Sequence, residues 1–412
     1  MLKALRLRMA LMLGGIVLLM ASCGGSGGGD TQANGSGVGS GGTGSYTNGP
    51  VSGLGSIIVN KVRYDVSTAT IHRDDDVLES TVHDAAEVML GMVVEVSGSG
   101  VVPASDGGTP VATAYKVRYG SSLVGPISEV DSTAATITVL GQMVQLNAKT
   151  VQPASLQVGD VVEVHGLSDA AGGYTATRID MLTAPSTYKI VSMVDHVDSQ
   201  FIYVGTEGGV RVAYGGVGLP AGVTSGTQLR IWFGSSKVNG EWMATRIAVD
   251  KALVQDVDDA RLEGLVTELP VNGVMKVDGA TVDASRLSSV TGLTLGQRVR
   301  IEGRLRAGVL VAADLATQDQ IDQEDRGVEL HGTVSQLGSA TFVVRGVKVA
   351  FNGGTAIEGG SLANGVCVEV HGQAFDASRS LTASEIEVSG SCPVASRQGG
   401  VSGGLGSRPV GK

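Results

Sequence analysis

The tetrapeptide Glu-Val-His-Gly occurs twice, at residues 163–166 and 369–372, and each copy contains a carboxylate and an imidazole. Residues i and i+2 of a strand point to the same face, so each Glu and His could together hold a metal ion. A zinc site needs three or four ligands, and no cluster of cysteine and histidine in the sequence supplies the others. We therefore predict no metal and no other cofactor, and we expect His165 and His371 to lie on solvated strand faces.

Acidic residues form two short runs, at residues 74–76 and at Asp256, Asp258 and Asp259. Carboxylate oxygens bind calcium, but neither run has the spacing of a calcium loop with its glycine and distant glutamate. We therefore expect both runs to be solvated loops. The Gly/Ser tracts are too degenerate to be phosphate-binding loops, and no catalytic set emerges. The sequence predicts a protein that is not an enzyme.

Aromatic residues are concentrated between residues 188 and 242, which hold seven of the fifteen in the chain. Among them, Trp232 occupies an outward strand position, with Arg230 two residues earlier on the same face. An exposed indole beside a guanidinium can stack on a sugar ring, and it can also pack against a neighbouring domain. Both interpretations remain open at this stage.

The folded part of the chain contains two cysteines, Cys367 and Cys392. An exported compartment would permit a disulfide between them, which would fix the C-terminal end. A simple hairpin register does not place the two residues opposite each other, so the bonded and free states both remain open.

The N-terminus has the features of an export signal: Lys3, Arg6 and Arg8 precede an apolar run at residues 9–20. The sequence Leu-Met-Ala-Ser-Cys that follows resembles the lipobox of bacterial lipoproteins. That resemblance implies cleavage before Cys23 and lipidation of its thiol, with the outer membrane as the destination because glycine rather than aspartate follows. The Gly/Ser-rich stretch after Cys23 predicts a flexible tether.

One strand pattern, Gly-x-x-Val-x-Val-x-Gly, recurs through the rest of the chain. The five copies begin at glycines spaced 67 to 70 residues apart: Gly91, Gly159, Gly226, Gly296 and Gly365. An opening strand, a hairpin of alternating apolar residues around a turn glycine, and a closing strand of the type Ala-x-x-Ile accompany most copies. Five short strands in each unit favour a small closed barrel, which leaves no exposed sheet edge.

The predicted fold is therefore all-β, with five tandem five-stranded barrels that are OB-like or SH3-like; a short sandwich is the alternative. We expect the barrels to be arranged like beads on a string because their joins are polar and acidic. The predicted domains are a signal peptide (1–22), a tether (23–52), barrels at 53–122, 123–186, 187–252, 259–318 and 327–390, and a disordered tail (391–412).

Alignment of the repeated strand separates an inner from an outer face. Two columns are always apolar and should point into the barrels. The column between them is charged and is expected to face water; it contains Glu95, Glu163, Arg230, Arg300 and Glu369. The next outward column has four different residue types in its five copies, which argues against a reaction carried out by every unit.

Composition excludes some classes of function. The chain of 412 residues has 62 glycines, 4% aromatic residues and a formal net charge of −10. Nucleic-acid binding needs clustered lysine and arginine to neutralise phosphates, and stacking on single strands needs aromatic side chains. We therefore predict no nucleic-acid partner.

The repeated pattern resembles bacterial lipoproteins built from the domain of unknown function 5666. The resemblance covers residues 53 to about 390, and the third unit departs most because it lacks the opening glycine. It implies OB-like barrels on a secreted or lipidated protein and implies no known activity. We expect a non-enzymatic lipoprotein of the cell envelope, held to the membrane by Cys23, that binds an envelope protein or glycan or acts as a scaffold. The alternative is a carbohydrate-binding or adhesin-like module centred on the third unit.

Overall fold

The computed structural model describes residues 44–76, 80–104, 108–169, 172–205, 209–250, 256–324, 327–390 and 392. The predicted signal peptide, Cys23 and residues 393–412 of the predicted tail lie outside these ranges, so lipidation of Cys23 stays a prediction. Within the described residues, no helix has the length and apolar character needed to cross a membrane.

The strands group into five units in chain order. Barrel 1 comprises β1 (Gly44–Leu54), β2 (Ile57–Val59), β3 (Val62–Asp65), β4 (Thr70–Arg73), β5 (Val93–Ser99) and β6 (Val111–Tyr119), with a 3-10 turn at Ala85–Glu87. Barrel 2 comprises β7 (Leu123–Asp131), β8 (Thr136–Val139), β9 (Gln142–Gln145), β10 (Val161–Ser168) and β11 (Tyr174–Met181). Barrel 3 comprises β12 (Thr187–Val197), β13 (Phe201–Val204), β14 (Val210–Ala213), β15 (Gln228–Gly234) and β16 (Trp242–Val249).

Two further units complete the chain, joined by a short helix. Barrel 4 comprises β17 (Val257–Val271), β18 (Val274–Val277), β19 (Ala280–Asp283), β20 (Arg298–Arg306) and β21 (Val309–Thr317). Helix α1 (Gln318–Glu324) follows it. Barrel 5 comprises β22 (Val328–Thr333), β23 (Thr341–Val344), β24 (Val347–Ala350), β25 (Ala356–Glu358), β26 (Cys367–Phe375) and β27 (Leu381–Ser389).

All five units close in the same way. In barrel 2, the antiparallel ladder β7–β8–β9 is followed by a parallel pairing of β9 with β11, and β10 then joins β11 back to β7. The same order of pairings recurs in barrels 1, 3 and 4. Barrel 5 has the same pairings, except that its first hairpin is closed by a single bridge between Ser335 and Val343. The predicted all-β fold with small closed barrels is confirmed.

The two apolar columns of the repeated strand form the barrel interiors. All ten side chains are at most 1% exposed: Val94, Val96, Val162, Val164, Leu229, Ile231, Val299, Ile301, Val368 and Val370. Removing these side chains from water is the main favourable term that closes each barrel.

The leading glycine of each copy has a specific conformational role. The five residues have φ between 76° and 96°, in the left-handed region that only glycine adopts without strain. The chain therefore turns sharply into the repeated strand of every unit, which is β5, β10, β15, β20 or β26. This requirement explains why glycine recurs at this position.

Residues 44–52 are not part of a tether, and here the prediction was wrong. They form most of β1, in which Ser45, Thr47 and Val51 are buried. The strand pairs with β5 and β17 along its first half and with β2 and β22 along its second half. Its small side chains allow neighbouring strands to approach, and its backbone groups are satisfied on both edges.

The barrels are also not beads on a string. The first strand of barrel 1 pairs in parallel with the first strands of barrels 4 and 5, and β7 pairs with β12 between barrels 2 and 3. The apolar cores of barrels 1 and 5 form one cluster, and those of barrels 2 and 3 form another. Tyr46 of β1 packs against the core of barrel 4. The polar joins therefore connect barrels that share strands and apolar contacts.

Candidate functional site

The charged column of the repeated strand lies between barrels, whereas the sequence predicted that it faces water. Each member contacts a charged residue of another barrel or of α1. These contacts are Glu95 with Arg230, Glu163 with Arg73, Arg300 with Glu324, and Glu369 with Arg63. The prediction failed because the outer face of one barrel is a packing surface for another barrel or for α1.

Asp74 and Asp75 form the charged junction between barrels 1 and 3. The Nζ of Lys189, a side chain that is 1% exposed, lies 2.6 Å from Asp74 Oδ2 and 3.2 Å from Asp75 Oδ1. Burial raises the pKa of Asp74, against the opposing effect of Lys189. Burial alone would also raise the pKa of Asp75, but Lys189 and Trp232 outweigh it and hold that pKa well below its usual value. The solvated loop predicted at residues 74–76 is therefore wrong.

Trp232 belongs to the same junction and is only 6% exposed. Its indole nitrogen donates a hydrogen bond of 3.0 Å to Asp75 Oδ1, and the Arg246 guanidinium lies 4.2 Å from the ring centroid. The surface needed for sugar stacking is thus occupied by the protein itself. Of the two interpretations of this residue, the structure supports packing against a neighbouring barrel. Arg230, its predicted partner in ligand binding, forms an ion pair with Asp250 instead.

A small polar cavity of about 80 Å³ lies next to this junction and is lined by residues of barrels 1 to 4. It has room for a few water molecules. Asp278 of barrel 4 lines it and accepts a hydrogen bond from Ser168 of barrel 2. Burial raises the pKa of Asp278 to about 6. We interpret this cavity as part of the packing between barrels.

The two histidines of the Glu-Val-His-Gly motifs have different environments. His165 is 1% exposed, and its Nδ1 lies 3.1 Å from the carbonyl oxygen of Gly120. Burial, with a contribution from Arg178, lowers the pKa of His165 to about 3, so the ring is neutral. The expected solvated face is wrong for His165, because barrel 1 and its linker cover it.

His371 and Glu369 gain a third potential ligand, Glu329, which the sequence analysis missed. The register of β22 and β26 places Glu329 opposite His371, and the three groups offer ligand atoms within 4.8 Å of one another. Arg63 of barrel 1 donates to Glu329, and a hydrogen bond from His371 lowers the pKa of Glu369 to about 2. The arrangement is a network of ion pairs and hydrogen bonds between barrels 1 and 5.

Cys367 and Cys392 form a disulfide with a Cα–Cα distance of 5.1 Å. The bond connects β26 to a residue beyond the last strand of barrel 5. His331 Nε2 lies 3.4 Å from Cys367 Sγ. The disulfide therefore fixes the C-terminal end of the described chain against barrel 5.

A larger cleft of about 390 Å³ lies between barrels 1, 4 and 5. Barrel 1 contributes Ser52, Ile58 and Thr109, while barrel 4 contributes Arg298 and Arg300. Its floor and walls mix apolar side chains with convergent charged groups, and its volume is in the range of small-molecule sites. We consider this cleft the candidate functional site.

The charged groups of the cleft are paired within the protein. Arg298 contacts Glu263 across β20 and β17. Glu324, the last residue of α1, accepts hydrogen bonds from Lys61 of barrel 1 and from Arg300 of barrel 4. The sequence analysis missed this cluster because its members are distant in sequence and meet only through packing of the barrels.

Comparison with protein families identifies the repeat. Four regions of the chain, residues 48–113, 124–180, 253–315 and 331–387, match the model of the Domain of unknown function (DUF5666). The chain belongs to the DUF5666 family. The matched regions lie in barrels 1, 2, 4 and 5, so most of the cleft lining from barrels 1 and 4 belongs to matched DUF5666 domains.

Barrel 3 lies outside the matched regions although it closes in the same way. Barrel 3 has Phe233 just after the bulge in its repeated strand, β15. The other barrels have a glycine at this position: Gly98, Gly166, Gly303 and Gly372. In the other four barrels a Cβ at this glycine would lie 2.6 Å or less from a carbonyl oxygen of the neighbouring strand. Barrel 3 therefore departs from the DUF5666 pattern at a position where the other barrels need glycine.

No curated protein matches the chain. A solved structure described as a multidomain protein with nucleic acid binding domains, from Streptococcus pneumoniae, is 15% identical to it. That match covers 48% of this chain and 72% of the other, with a TM-score of 0.12. A structural similarity with so low a TM-score gives no information about ligands.

Proposed function

We propose that this DUF5666 protein is a non-enzymatic lipoprotein of the outer membrane that binds an envelope component in the cleft between barrels 1, 4 and 5. The observation that carries the proposal is the cleft itself, since three barrels meet to form it and charged groups from each converge there. A scaffold role fits the same structure, because the shared strands keep the barrels together.

The position of the cleft on barrel 1 supports binding. The strand order and Greek-key closure favour an OB-like barrel, a fold that binds ligands on strands 2 and 3 and at the loops that connect strands 1 and 2 and strands 4 and 5. The cleft meets barrel 1 at Ile58 of the second strand, at Asn60 and Lys61 of the following turn, and at Thr109 before the last strand. Ile58 and Thr109 correspond to the ligand side of an OB barrel, whereas the turn of Asn60 and Lys61 lies at the end of that face.

The proposed anchor is consistent with where the fold begins. Cys23 precedes β1 by roughly twenty residues that are rich in glycine and serine. Three acyl chains would hold the protein firmly at the membrane. The barrels would then lie near the membrane surface, within reach of envelope polymers.

The adhesin-like alternative centred on barrel 3 loses its main support. It depended on an exposed Trp232, and that indole packs between barrels 1 and 3. We therefore do not place ligand binding on barrel 3.

Co-sedimentation of the full chain with purified peptidoglycan sacculi and with outer-membrane vesicles tests the proposal. We expect binding to one of them and its loss in Thr109→Trp, which fills the cleft. Thr133→Trp, on an exposed turn of barrel 2, is the matched control and should bind normally. Absence of binding to both materials, or equal binding by Thr109→Trp, would contradict the proposal.

The location is tested separately. Metabolic palmitate labelling should depend on Cys23, and protease treatment of intact and lysed cells distinguishes a surface from a periplasmic orientation. A chain without label would remove the anchor from the proposal.

A further inference from the structure

Arg300 lies on the cleft wall with an unusual counter-charge. Its side chain is 6% exposed, and its guanidinium donates a hydrogen bond of 2.5 Å to Glu324 Oε2. The Glu324 side chain is 48% exposed and ends a helix of seven residues. A buried cation thus depends on a carboxylate that remains accessible to solvent.

A second cation shares that carboxylate. Lys61 Nζ of barrel 1 donates to the same Oε2 atom of Glu324. Together Lys61 and Arg300 lower the pKa of Glu324, with Lys61 the larger effect, so the group is ionised at neutral pH. Two positive groups from two barrels therefore converge on one anionic oxygen at the cleft.

The hold on Glu324 is weak enough to be exchanged. The contact of Lys61 with Glu324 joins two exposed side chains, and exposed ion pairs contribute little to stability. Helix α1 buries a single side chain, Ile321, and Asp322 adds an exposed ion pair with Lys149, so exposed contacts hold much of its last turn. An anion that entered the cleft could take the position of the carboxylate while Lys61 and Arg300 remained in place.

We propose that Glu324 occupies the position of a ligand's anionic group, so that the cleft takes a small molecule bearing a carboxylate or a phosphate. This inference rests on the proposed binding function of the cleft and specifies the ligand's chemical class. The ligand's anion binds between Lys61 and Arg300, and its remaining polar groups meet the walls of barrels 1 and 4.

Three matched sugars test the inference by isothermal titration calorimetry with the full chain: glucuronate, glucose 6-phosphate and neutral glucose. A tethered carboxylate competes at an effective concentration in the millimolar range, so Glu324→Gln should bind an anionic sugar about tenfold more tightly than the wild type. The anionic sugar whose affinity increases more shows whether the cleft prefers a carboxylate or a phosphate. Glucose should not respond to the substitution.

Two further variants complete the design. Lys61→Gln introduced into Glu324→Gln should reverse the gain. Glu268→Gln removes another exposed glutamate that pairs with a lysine on barrel 4, and it should bind like the wild type. Equal affinities for the wild type and Glu324→Gln, or an equal gain for glucose, would overturn the inference. If the protein still binds sacculi or vesicles and Thr109→Trp abolishes that binding, the proposed binding function stands. Only the inferred chemical class of the ligand would then be wrong.

Discussion

The Nζ of Lys189 lies 2.7 Å and 2.6 Å from the two carboxylate oxygens of Asp74, although the residues are 115 positions apart in the chain. Lys189 belongs to barrel 3 and Asp74 to barrel 1. Both side chains are buried, so the pair joins two barrels by an ionic contact that water does not screen.

Lys189→Met should destabilise the protein strongly. Removing one partner leaves Asp74 buried without its main counter-charge, which typically costs about 3 to 5 kcal/mol of unfolding free energy. A second substitution, Asp74→Leu, should recover part of that loss because no uncompensated carboxylate remains at that position. Urea unfolding of the single and double variants measures both effects. Lys116→Met on the exposed face of barrel 1 is the control, and an equally small cost for both lysine variants would contradict the buried junction.

Trp232→Ala should lower the melting temperature. The indole is buried between two barrels, and truncation of a buried aromatic side chain costs about 3 to 5 kcal/mol. Tyr115→Ala, at an exposed position of barrel 1, provides the comparison and should have little effect. Differential scanning calorimetry distinguishes the outcomes: an unchanged melting temperature for Trp232→Ala would mean that the indole is exposed.

The sequence predicted those features that depend on one barrel alone. Alternation within the repeated strand identified the buried columns of Val94 and Val96 because strand periodicity is local. The period of the leading glycines identified the number of units because each needs the same left-handed turn. Neither feature depends on contacts between units.

Contacts between barrels could not be predicted in this way. Glu163 and Arg300 are outward residues of their own barrels, and a single strand pattern cannot distinguish solvent from a neighbouring barrel. Residues 44–52 have the composition of a linker, yet they form a strand because β5 and β17 offer open edges. The cluster of Lys61, Arg300 and Glu324 needs the same long-range packing.

Asp278→Asn should stabilise the protein at neutral and alkaline pH. Burial raises the pKa of Asp278 from its ordinary value of 3.8 to about 6, so the folded state retains a proton that the unfolded state releases between these values. The wild type therefore loses stability as pH rises from about 4 to 6, by at most about 3 kcal/mol. Asparagine does not titrate and accommodates the positive φ of this position.

Urea unfolding at pH 8 and pH 4 measures this effect. The variant should be more stable than the wild type at pH 8, and the difference should shrink towards zero at pH 4. A difference of the same size at both pH values would show that Asp278 does not titrate as described.

Cys392→Ser should weaken the C-terminal barrel. The disulfide closes a loop between residues 25 positions apart, and a loop of this length contributes about 3.5 kcal/mol in the chain-entropy model. Loss of the bond should therefore lower the melting temperature. Wild-type protein treated with a dithiol reductant should behave like the variant. A variant as stable as the oxidised wild type would show that the bond contributes nothing to folding.

Hydrogen exchange of residues 44–54 tests the central claim most directly, namely that β1 joins barrels 1, 4 and 5 into one body that forms the cleft. Mass spectrometry of the full chain would follow this peptide beside peptides from β17 and β22. The account predicts slow exchange of β1 at rates close to those of its partner strands, because its amides are hydrogen-bonded on both edges. Complete exchange of residues 44–52 within seconds would show that they form a tether, and the shared strand and the cleft between barrels would then both be wrong.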